Sequence, residues 1–564
     1  MRYEIVLQRE NGLFTITKPC DIFKVYQQQI PNGYRCTAVF APKNKEKIVR
    51  AEIVCPEVYP KGSKVFAEGF QSWTKVKEYD LTEKEENYSL PVIATNFWKG
   101  WLTITDRHFY KIKNKKGVFH SIGSTYIKSD ENYRFYGALN IKDCFTIFES
   151  NPKKYEMKII SDVKGLETDK EITLFDFIVI DGSKSYVYDS YFEYLEIPKS
   201  TNKKTKGFTS WYNYYQNINE EIILKNLNNF IAFKNAGNDV DLFQIDDGYE
   251  TFVGDWLDVD QNKFPNGLKP VADKINEHFI SGLWLAPFGA QPKSKLFTEH
   301  PDWFLKNAKG KPVLAGCSWG GFYALDFYNE EVREYLRKVF KTVFEDWGFK
   351  MVKLDFLYAA ALVVPKDKTR AQVMREVMEF LRELCKDKLL LGCGVPLTSA
   401  YGLVDYCRIG CDVSLDFDGG IIAKHLHKDG VSSQNAINNA VLRYELSGRA
   451  FLNDPDVFIL RSDNVKMSVD ERLTLSIANA IFGKVLFTSD DFMKYPDEDS
   501  VEQLEYVWRL NDCKLINYKI VQDYVFKATV EFEGKIQTYY INASSKKVQV
   551  DGMPMEKHTV RIVE

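Results

Sequence analysis

Hydrophobic and polar residues alternate in short runs over the first third of the chain. Runs such as "EIVLQ" (4–8), "KIVRAEIVC" (47–55) and "DFIVID" (176–181) favour strands, and clusters of Gly, Asn, Asp and Lys separate them. Convincing patterns for long amphipathic helices do not occur here. We therefore predict a β-sandwich over residues 1–195, bounded by the polar, lysine-rich stretch "EIPKSTNKKTKG" (196–207).

Strand-like runs alternate with helix-like runs after this stretch. The clearest helix has a capping residue at Asn329, acids at Glu330 and Glu331, and an end near Gly348. Eight strand-like runs are found: "GFTSWYNYY", "VDLFQIDDGYE", "ISGLWLAPF", "FYALDF", "FKMVKLDFL", "LLLGCG", "YCRIGCD" and "FLNDPD". This pattern predicts a parallel sheet over residues 196–511, and eight repeats favour a closed (β/α)8 TIM barrel over an open doubly wound sheet.

The tail of the chain returns to residues that favour strands. The segment "DYVFKATVEFEGKIQTYYINAS" (523–544) is typical of paired strands. We therefore predict a small antiparallel β-domain over residues 512–564. Three domains agree with a length of 564 residues, which is too long for one ordinary core.

Composition and charge exclude several classes of function. A formal charge of −3 without a basic block gives no signal for nucleic-acid binding, and no apolar run is long enough to span a membrane. The N-terminus lacks the apolar segment of a signal peptide, and the ten scattered cysteines lack a disulfide-type spacing, so we expect a cytoplasmic protein. No HExxH or glycine-rich phosphate motif occurs, so we expect neither a metal nor a cofactor.

Polar side chains recur at the C-terminal ends of the predicted strands, where barrel enzymes carry their chemistry. These ends hold Trp211, Asp246, Asp247, Trp284, Asp326, Lys353, Asp355, Cys393, Arg408, Asp412 and Asp454. A single strand-end aspartate can equally be a helix cap or a rim salt bridge, and we keep that interpretation for Asp326 and Asp454. The set as a whole suits a sugar, because charged groups bind hydroxyls, indole rings stack on sugar faces, and paired carboxylates cleave glycosidic bonds.

Asp355 is the most informative of these residues, because it lies among apolar residues in "KMVKLDFL". A charge in such a place costs several kcal/mol unless it is paired or lies at a wet end. Lys353 is two residues earlier and shares its strand face. We therefore expect the Lys353 ammonium to offset the charge and to keep the pKa of Asp355 low.

Several of these motifs, in this order, resemble glycoside hydrolase family 36 of clan D, the bacterial α-galactosidases or melibiases. They are "FQIDDGYE", "GLWLAPF", "KLDFL", "GCGVPL", "RIGCD" and "FLNDPD", together with "SWYNYY" and the N-terminal "GFQSW". The resemblance implies an N-terminal β-supersandwich, a (β/α)8 barrel and a C-terminal β-domain, in agreement with the pattern above.

The resemblance also implies roles for the two central carboxylates. Asp355 matches the family's nucleophile. Asp412, 57 residues further along the chain, matches the general acid/base, which must be protonated in the first step and ionised in the second. The family retains configuration, and this requires the two carboxyls to be about 5–5.5 Å apart.

Further residues match the sugar-binding positions of the family. Asp246 and Asp247 would bind the axial 4-OH and the 6-OH, and Lys353 and Arg408 the 3-OH and 2-OH region. Walls would come from Trp284 and Trp211, the C2 side from Cys393, and a rim contact from Trp73 of the N-terminal part.

Some assignments have alternatives. Cys393 is equally explained as a buried structural thiol, and Trp73 could lie in the sandwich core or serve a neighbouring subunit's site. The stretch "CDVSLDFDGG" departs from the family, because Asp416 and Asp418 replace more apolar residues and could alter the leaving-group subsite. A disulfide from Cys411 to Cys393 or Cys407 is disfavoured in the cytosol.

The sequence therefore predicts a retaining exo-α-galactosidase that cleaves terminal α-galactose from small oligosaccharides such as melibiose or raffinose. An α-N-acetylgalactosaminidase on the same scaffold is the close alternative, decided by the room at C2. A non-catalytic sugar-binding protein is disfavoured, because both candidate carboxylates are present. We expect a small oligosaccharide as substrate, no nucleic-acid or membrane partner, and allow for a homo-oligomer.

Overall fold

The computed structural model describes residues 1–86, 105–110, 113, 115–419, 430–495 and 497–563. All ten cysteines lie within these ranges, and none of them forms a disulfide. Among the helices that the structure describes, none has the length and apolarity needed to cross a bilayer.

Two antiparallel sheets of seven strands each form the first part of the chain. One contains Arg2–Arg9, Gly12–Ile16, Glu46–Pro56, Phe119–Ile122, Thr146–Asn151, Glu156–Ser161 and Glu167–Thr168. The other contains Phe23–Ile30, Gly33–Phe40, Lys64–Ala67, Lys77–Asp80, Ser124–Ser129, Asn132–Ala138 and Ile172–Gly182. The antiparallel β-structure predicted for this region is confirmed.

Side chains from the two sheets pack against each other. The rings of Tyr3 and Phe23, one from each sheet, have centroids 5.8 Å apart, and those of Tyr136 and Phe148 are 5.9 Å apart. Strand Glu156–Ser161 alternates buried and partly exposed residues, as a strand with one face on a core does. The helix Lys184–Tyr194 follows the last strand and leads to the second part of the chain.

A curled, all-parallel sheet of nine strands forms the centre of the molecule. In hydrogen-bonded order its strands are Leu452–Asp454, Tyr406–Arg408, Leu389–Gly392, Met351–Leu354, Ile280–Leu285, Leu242–Ile245, Thr205–Thr209, Val485–Thr488 and Val457–Phe458. Its two edge strands, the first and last of this order, are separated along the chain only by Pro455 and Asp456. The predicted parallel sheet is therefore confirmed.

One predicted strand of this sheet is wrong and two others were missed. The "FYALDF" run forms Phe322–Ala324, which pairs antiparallel with Leu314–Gly316 and Gly289–Ala290 in a separate small sheet. A turn joins Leu314–Gly316 to Phe322–Ala324 and lets them pair locally, and an apolar run does not reveal which partner it takes. The missed strands are Val485–Thr488, whose apolar residues follow a buried helix too closely to stand out, and the two-residue Val457–Phe458.

Helices alternate with the strands of the parallel sheet. They are Trp211–Tyr214, Glu220–Asn235, Lys269–Asn276, Lys295–Glu299, Glu330–Lys341, Arg370–Cys385, Leu397–Ala400, Ser433–Leu442, Val469–Phe482 and Glu498–Leu510. The side chain of Asn329 accepts a hydrogen bond from Glu331 N at 2.9 Å, so the predicted cap is confirmed. Gly348, with φ of 84°, lies just beyond the end of this helical segment.

The end of the chain forms two small antiparallel sheets. Lys514–Gln522, Val525–Phe532, Lys535–Asn542 and Thr559–Val563 make a four-stranded sheet, and Val548–Val550 pairs with Met553–Met555. The antiparallel structure predicted for the tail is therefore confirmed. The domain boundaries at residues 195 and 511 stay predictions.

Candidate active site

Asp355 is held rigidly at the end of strand Met351–Leu354. Its residue is only 8% exposed. Phe356 N donates to Oδ1 at 2.8 Å, and the indole Nε1 of Trp284 donates to Oδ2 at 3.2 Å. The backbone can supply the first bond because Phe356 has a left-handed conformation, with φ of 53°. Each carboxylate oxygen therefore has a fixed donor in a largely dry site.

The predicted low pKa of Asp355 is wrong. Burial raises the pKa of this carboxyl, Lys353 opposes the rise, and the nearby charge of Asp412 adds to it. Lys353 is not the direct partner of Asp355, because its Nζ lies 2.9 Å from Oδ2 of Asp246. The loss of water outweighs a cation that is shared with another carboxylate.

Asp246 and Asp247 directly follow strand Leu242–Ile245, and the two carboxylates have different partners. Asp246 Oδ2 accepts from Lys353 Nζ at 2.9 Å and from Gln244 Nε2 at 2.7 Å. Asp247 Oδ2 accepts from the indole Nε1 of Trp319 at 2.8 Å and from Gln216 Nε2 at 3.1 Å. Both aspartates are buried. Their side chains diverge, as expected for neighbours at a strand end.

Asp247 also shares a hydrogen bond with a second buried acid, Glu250. Burial and the charge of Asp247 raise the pKa of Glu250 well above its ordinary value. Burial likewise raises the pKa of Asp247, although bonds from Glu250 and Trp319 oppose it. A protonated Glu250 can thus donate to Asp247 and keep that carboxylate in place.

Arg408 connects Asp412 to two buried carboxylates. Its Nη1 donates to Asp412 Oδ1 at 3.0 Å, its Nε donates to Asp454 Oδ2 at 3.2 Å, and its Nη2 lies 2.8 Å from Asp456 Oδ1. Asp454 is therefore a salt-bridge partner, in agreement with the interpretation from the sequence. The side chain of Asp412 is 43% exposed, whereas the other two are essentially buried.

Trp73 reaches this cluster from the N-terminal part of the same chain. Its Nε1 lies 3.3 Å from Cys393 Sγ, and its ring centroid is 5.1 Å from that of Phe356. A side chain at Gly394 would collide with the indole at 2.7 Å. The thiol of Cys393 in turn hydrogen bonds the Asp355 carboxyl and lowers its pKa. Trp73 and Cys393 therefore both lie beside Asp355, and the indole is that of the same chain.

The loop that carries Trp73 is fastened to the parallel sheet by Arg443. This buried guanidinium donates to Ser72 O at 2.5 Å and to Ile409 O at 2.8 Å, and it forms an ion pair with Glu68. Ser72 N also donates to Val395 O at 2.9 Å. Arg443 thus joins the N-terminal loop to the strand end that precedes Asp412.

Two other predicted strand-end residues have local contacts. Asp326 Oδ1 accepts from Tyr328 N at 2.9 Å, so it caps a turn outside the parallel sheet. The ring of Trp211 packs edge-on against Tyr215 at 5.1 Å. Its contact with a substrate stays a prediction.

The two acids that depart from the family pattern have partners in the protein. Asp416 Oδ1 accepts from Ser414 Oγ at 2.5 Å and from Gly419 N at 2.9 Å. Asp418 Oδ1 lies 3.4 Å from the imidazole Nε2 of His558 in the C-terminal β-region. Asp418 therefore links the loop after Asp412 to the C-terminal sheets, and an effect on a leaving-group subsite stays a prediction.

Comparison with known proteins agrees with this geometry. Residues 187–380 match the Melibiase family model. The α-galactosidase AgaA of Geobacillus stearothermophilus is 31% identical over 154 residues, which are 26% of this chain and 20% of AgaA. The resemblance to the family 36 α-galactosidases is confirmed. The match spans about a fifth of the length of that relative.

Solved structures extend the likeness to the whole fold. An α-galactosidase of Thermus thermophilus, in complex with p-nitrophenyl α-D-galactopyranoside, has a TM-score of 0.70 and 24% identity, covering 91% of this chain and 98% of that one. Its complex with stachyose has a TM-score of 0.68 and 25% identity, covering 86% and 99%. A further relative, the A type blood α-D-galactosamine galactosaminidase of Flavonifractor plautii, is 28% identical over 173 residues, 27% of this chain and 16% of that protein.

Four residues of this α-galactosidase-like site were missed from the sequence: Gln216, Glu250, Trp319 and Asp456. Glu250 and Asp456 stand in "DDGYE" and "NDPD", beside acids that were recognised, and only their burial distinguishes them. Trp319 stands in the glycine-flanked "SWGG", where a positive φ of 55° marks an unusual turn. A tryptophan in a glycine-rich turn was the one available signal.

Proposed function

We propose that this protein is a retaining exo-α-galactosidase, which removes terminal, non-reducing α-D-galactosyl residues from small galactosides. One observation carries the proposal: two carboxylates differ in burial, and the charge of one affects the pKa of the other. Asp355 is buried and held by two N–H donors, whereas the Asp412 side chain is 43% exposed, and its charge raises the pKa of Asp355. A fixed nucleophile and a solvent-accessible acid/base are what double displacement needs.

The first step forms a bond between a carboxylate oxygen of Asp355 and C1 of the galactosyl ring. The bond from C1 to the leaving oxygen breaks, its electron pair stays on that oxygen, and Asp412 supplies the proton. Trp284 and the Phe356 N–H hold the attacking group without taking it out of reach.

The second step reverses these roles. Asp412, now ionised, takes a proton from water as the water oxygen bonds to C1, and the bond to Asp355 breaks with its electron pair returning to the carboxylate. The exposure of the Asp412 side chain supports this step, because water must reach it. Two inversions at C1 retain the α-configuration.

The preference for galactose rests on Asp246, Asp247 and Lys353. An ionised carboxylate has about four acceptor sites, so each aspartate can bind a sugar hydroxyl in addition to its protein donors. Lys353 pairs with Asp246, Trp284 donates to Asp355, and the charge of Lys353 lowers the pKa of Asp355. The stachyose complex of the Thermus relative supports oligosaccharides of the melibiose and raffinose type as substrates.

An α-N-acetylgalactosaminidase is the second candidate. The relative from Flavonifractor plautii is named for a galactosamine substrate. On this scaffold the C2 substituent would be accommodated near Cys393 and Arg408. Cys393 has a small side chain, which favours room for that substituent.

The architecture forms part of the proposal. We assign a β-supersandwich to residues 1–195, a closed (β/α)8 barrel to 196–511, and an antiparallel β-domain to 512–564. Closure is supported by the two edge strands, Leu452–Asp454 and Val457–Phe458, which belong to one short stretch of chain.

A time-resolved NMR assay tests the proposal. The purified protein is incubated with p-nitrophenyl α-galactoside, and the first sugar released is expected to be the α-anomer of galactose, before mutarotation. The matching α-N-acetylgalactosaminide is run in parallel, and a higher kcat/KM on it would favour the second candidate. Release of the β-anomer, or binding of either sugar without turnover, would overturn the retaining mechanism or the enzyme assignment respectively.

A further inference from the structure

Asp456 has an unusual backbone conformation and lies between the two edge strands of the parallel sheet. Only Pro455 and Asp456 separate Leu452–Asp454 from Val457–Phe458. Asp456 between them has φ of 79°, a strained conformation that residues other than glycine rarely adopt. Such strain persists where surrounding contacts hold it, and here it turns a fully buried carboxylate toward neighbouring strand ends.

The carboxylate of Asp456 contacts both the backbone next to Asp412 and the arginine that binds Asp412. Its Oδ2 accepts from Val413 N, the residue directly after Asp412, at 2.9 Å. Its Oδ1 lies 2.8 Å from Arg408 Nη2, and Arg408 Nη1 donates to Asp412 Oδ1 at 3.0 Å. The hydroxyl of Tyr212 also donates to Asp456 Oδ2. Asp456 thus grips both the backbone beside Asp412 and the cation that holds the Asp412 side chain.

We infer that Asp456 is a positioning residue for the general acid/base Asp412, an inference that rests on the proposed function. Because Asp412 stands on a loop and is partly exposed, its own strand does not orient it as Met351–Leu354 orients Asp355. The burial and the ion pair of Asp456 supply that orientation from the two-residue link between the edge strands. Asp456 does not act on the sugar itself but through Val413 and Arg408.

The charges that face Asp456 explain how it can do this. They are those of Arg408, Asp412 and Asp454, and Tyr212 is the other titratable group beside it. Burial raises the pKa of Asp456 to about 7, while Arg408 lowers it. Arg408 thus favours the ionised form of Asp456 against the effect of burial. Loss of the Asp456 carboxylate removes one of the two buried carboxylates that hold Arg408 beside Asp412.

The test compares two substrates that need general-acid help to different extents. Raffinose has an alkoxide leaving group that needs a proton, whereas 2,4-dinitrophenyl α-galactoside has a stable leaving anion. For Asp456→Ala we expect kcat/KM on raffinose to fall about 100-fold, and on the dinitrophenyl substrate less than about fivefold. Because kcat/KM covers only the steps up to the first bond cleavage, the later base role of Asp412 does not enter.

Asp456→Asn keeps the fold testable and serves as the conservative variant. Asparagine tolerates a positive φ and its amide oxygen can still accept from Val413 N. We expect it to recover part of the lost raffinose activity, relative to Asp456→Ala. The control is Asp490→Asn, because Asp490 is an equally buried acid in an ion pair of 3.0 Å with Arg461. This control is expected to lower the unfolding midpoint without changing the ratio between the two substrates.

Equal losses on both substrates for the Asp456 variants, as for a merely destabilised protein, would overturn the inference. A wild-type protein that cleaves neither α-galactoside would instead overturn the proposed function on which it rests. The two failures are therefore distinguishable within one set of assays.

Discussion

The carboxylates of Asp355 and Asp412 differ both in burial and in the groups that hold them. Asp355 stands at the end of a buried strand, with donors on both oxygens supplied by Phe356 and Trp284. The Asp412 side chain is 43% exposed, lies in the loop beyond strand Tyr406–Arg408, and is tethered through Arg408. Asp355 is held by groups at the end of its own strand and by Trp284, whereas Asp412 is held by the side chain of Arg408.

This difference matches the separate tasks that we propose for the two groups. A nucleophile gains from a fixed, dry position, because the attacking atom is then oriented and its charge is unscreened. An acid/base must exchange its proton with water in every cycle, so it must stay accessible. Each variant below removes one of these two carboxylates or a group that supports one of them.

Replacement of Asp355 by Asn has the largest expected effect. Loss of the nucleophile should lower kcat on p-nitrophenyl α-galactoside on the order of 10⁴-fold or more. The stability of this variant should stay the same or rise, although its activity falls. Because burial raises the pKa of Asp355 above its unfolded value, the ionised form opposes folding at neutral pH, and a neutral side chain removes that cost. We expect an unfolding midpoint equal to or above that of the wild type.

The control for this variant is Asp490→Asn, which breaks a buried ion pair with Arg461 and should lower the midpoint. Retained hydrolysis by Asp355→Asn would remove Asp355 from the nucleophile role. A clear drop of its unfolding midpoint would contradict the pKa argument alone.

Replacement of Asp412 by Ala should have a smaller effect that depends on the substrate. General-acid catalysis contributes about 10²–10⁴-fold, so kcat/KM on raffinose should fall by about that factor and much less on a dinitrophenyl galactoside. Asp416→Asn is the matched control in the same loop, because Asp416 contacts Ser414 and Gly419. An equal loss on both substrates for Asp412→Ala would assign the acid to another residue.

Sequence patterns could predict the local features of this molecule. The Asn329 cap, the parallel sheet and the polar strand ends all depend on residues within a few positions of one another. The strand assignment failed at Phe322–Ala324, which pairs with its neighbour Leu314–Gly316 instead of joining the parallel sheet. It also failed at Val485–Thr488, whose partner Thr205–Thr209 lies far away in sequence. Short apolar runs are alike whichever sheet they join.

The proximity of some predicted residues could be derived from the sequence, and their electrostatics could not. Asp246, Lys353 and Asp355 do meet, because alternate residues of one strand share a face with the end of a nearby strand. The sign of the Asp355 pKa shift was wrong, because it depends on the burial of the carboxyl and on Asp246 taking the Lys353 ammonium. Neither quantity can be derived from spacing along one strand.

Replacement of Lys353 by Met tests the electrostatic side of the contrast. Loss of a charge-assisted contact costs about 1.5–3 kcal/mol, so kcat/KM should fall about 10- to 100-fold. Lys353 lowers the pKa of Asp355 against the effect of burial, so its removal should move the acid limb of the kcat/KM profile to higher pH. Below that limb the nucleophile is protonated and inactive.

Lys206 provides the control for this experiment. It is a buried lysine of the same sheet, on strand Thr205–Thr209, and it forms ion pairs with Asp239 and Asp512 rather than with the site. Lys206→Met should destabilise the protein without moving the acid limb. An unmoved limb in Lys353→Met would show that Asp355 does not sense this ammonium.

Replacement of His558 by Ala should have a still smaller effect, on the accessible side of the contrast. The imidazole packs on Phe417 with ring centroids 4.4 Å apart, and its Nε2 lies 3.4 Å from Asp418 Oδ1, so it fastens the loop after Asp412. Loosening this loop should lower kcat/KM on raffinose about fivefold, which corresponds to about 1 kcal/mol. The same variant should leave the dinitrophenyl galactoside nearly unaffected, and a larger loss on that substrate would contradict a link to Asp412.

Cys393 offers the finest test, because it separates a thiol that serves the nucleophile from one that only fills space. Its hydrogen bond lowers the pKa of Asp355. Cys393→Ala should therefore move the acid limb upward, and Cys393→Ser, which keeps a donor, should not; rates at the optimum should change by about twofold or less. Cys407→Ala, at a buried thiol whose Sγ lies 3.4 Å from Arg408 O, is the matched control. If the alanine and serine variants at 393 share one profile, the thiol is structural, and the fixed state of Asp355 depends on Trp284 and the Phe356 N–H alone.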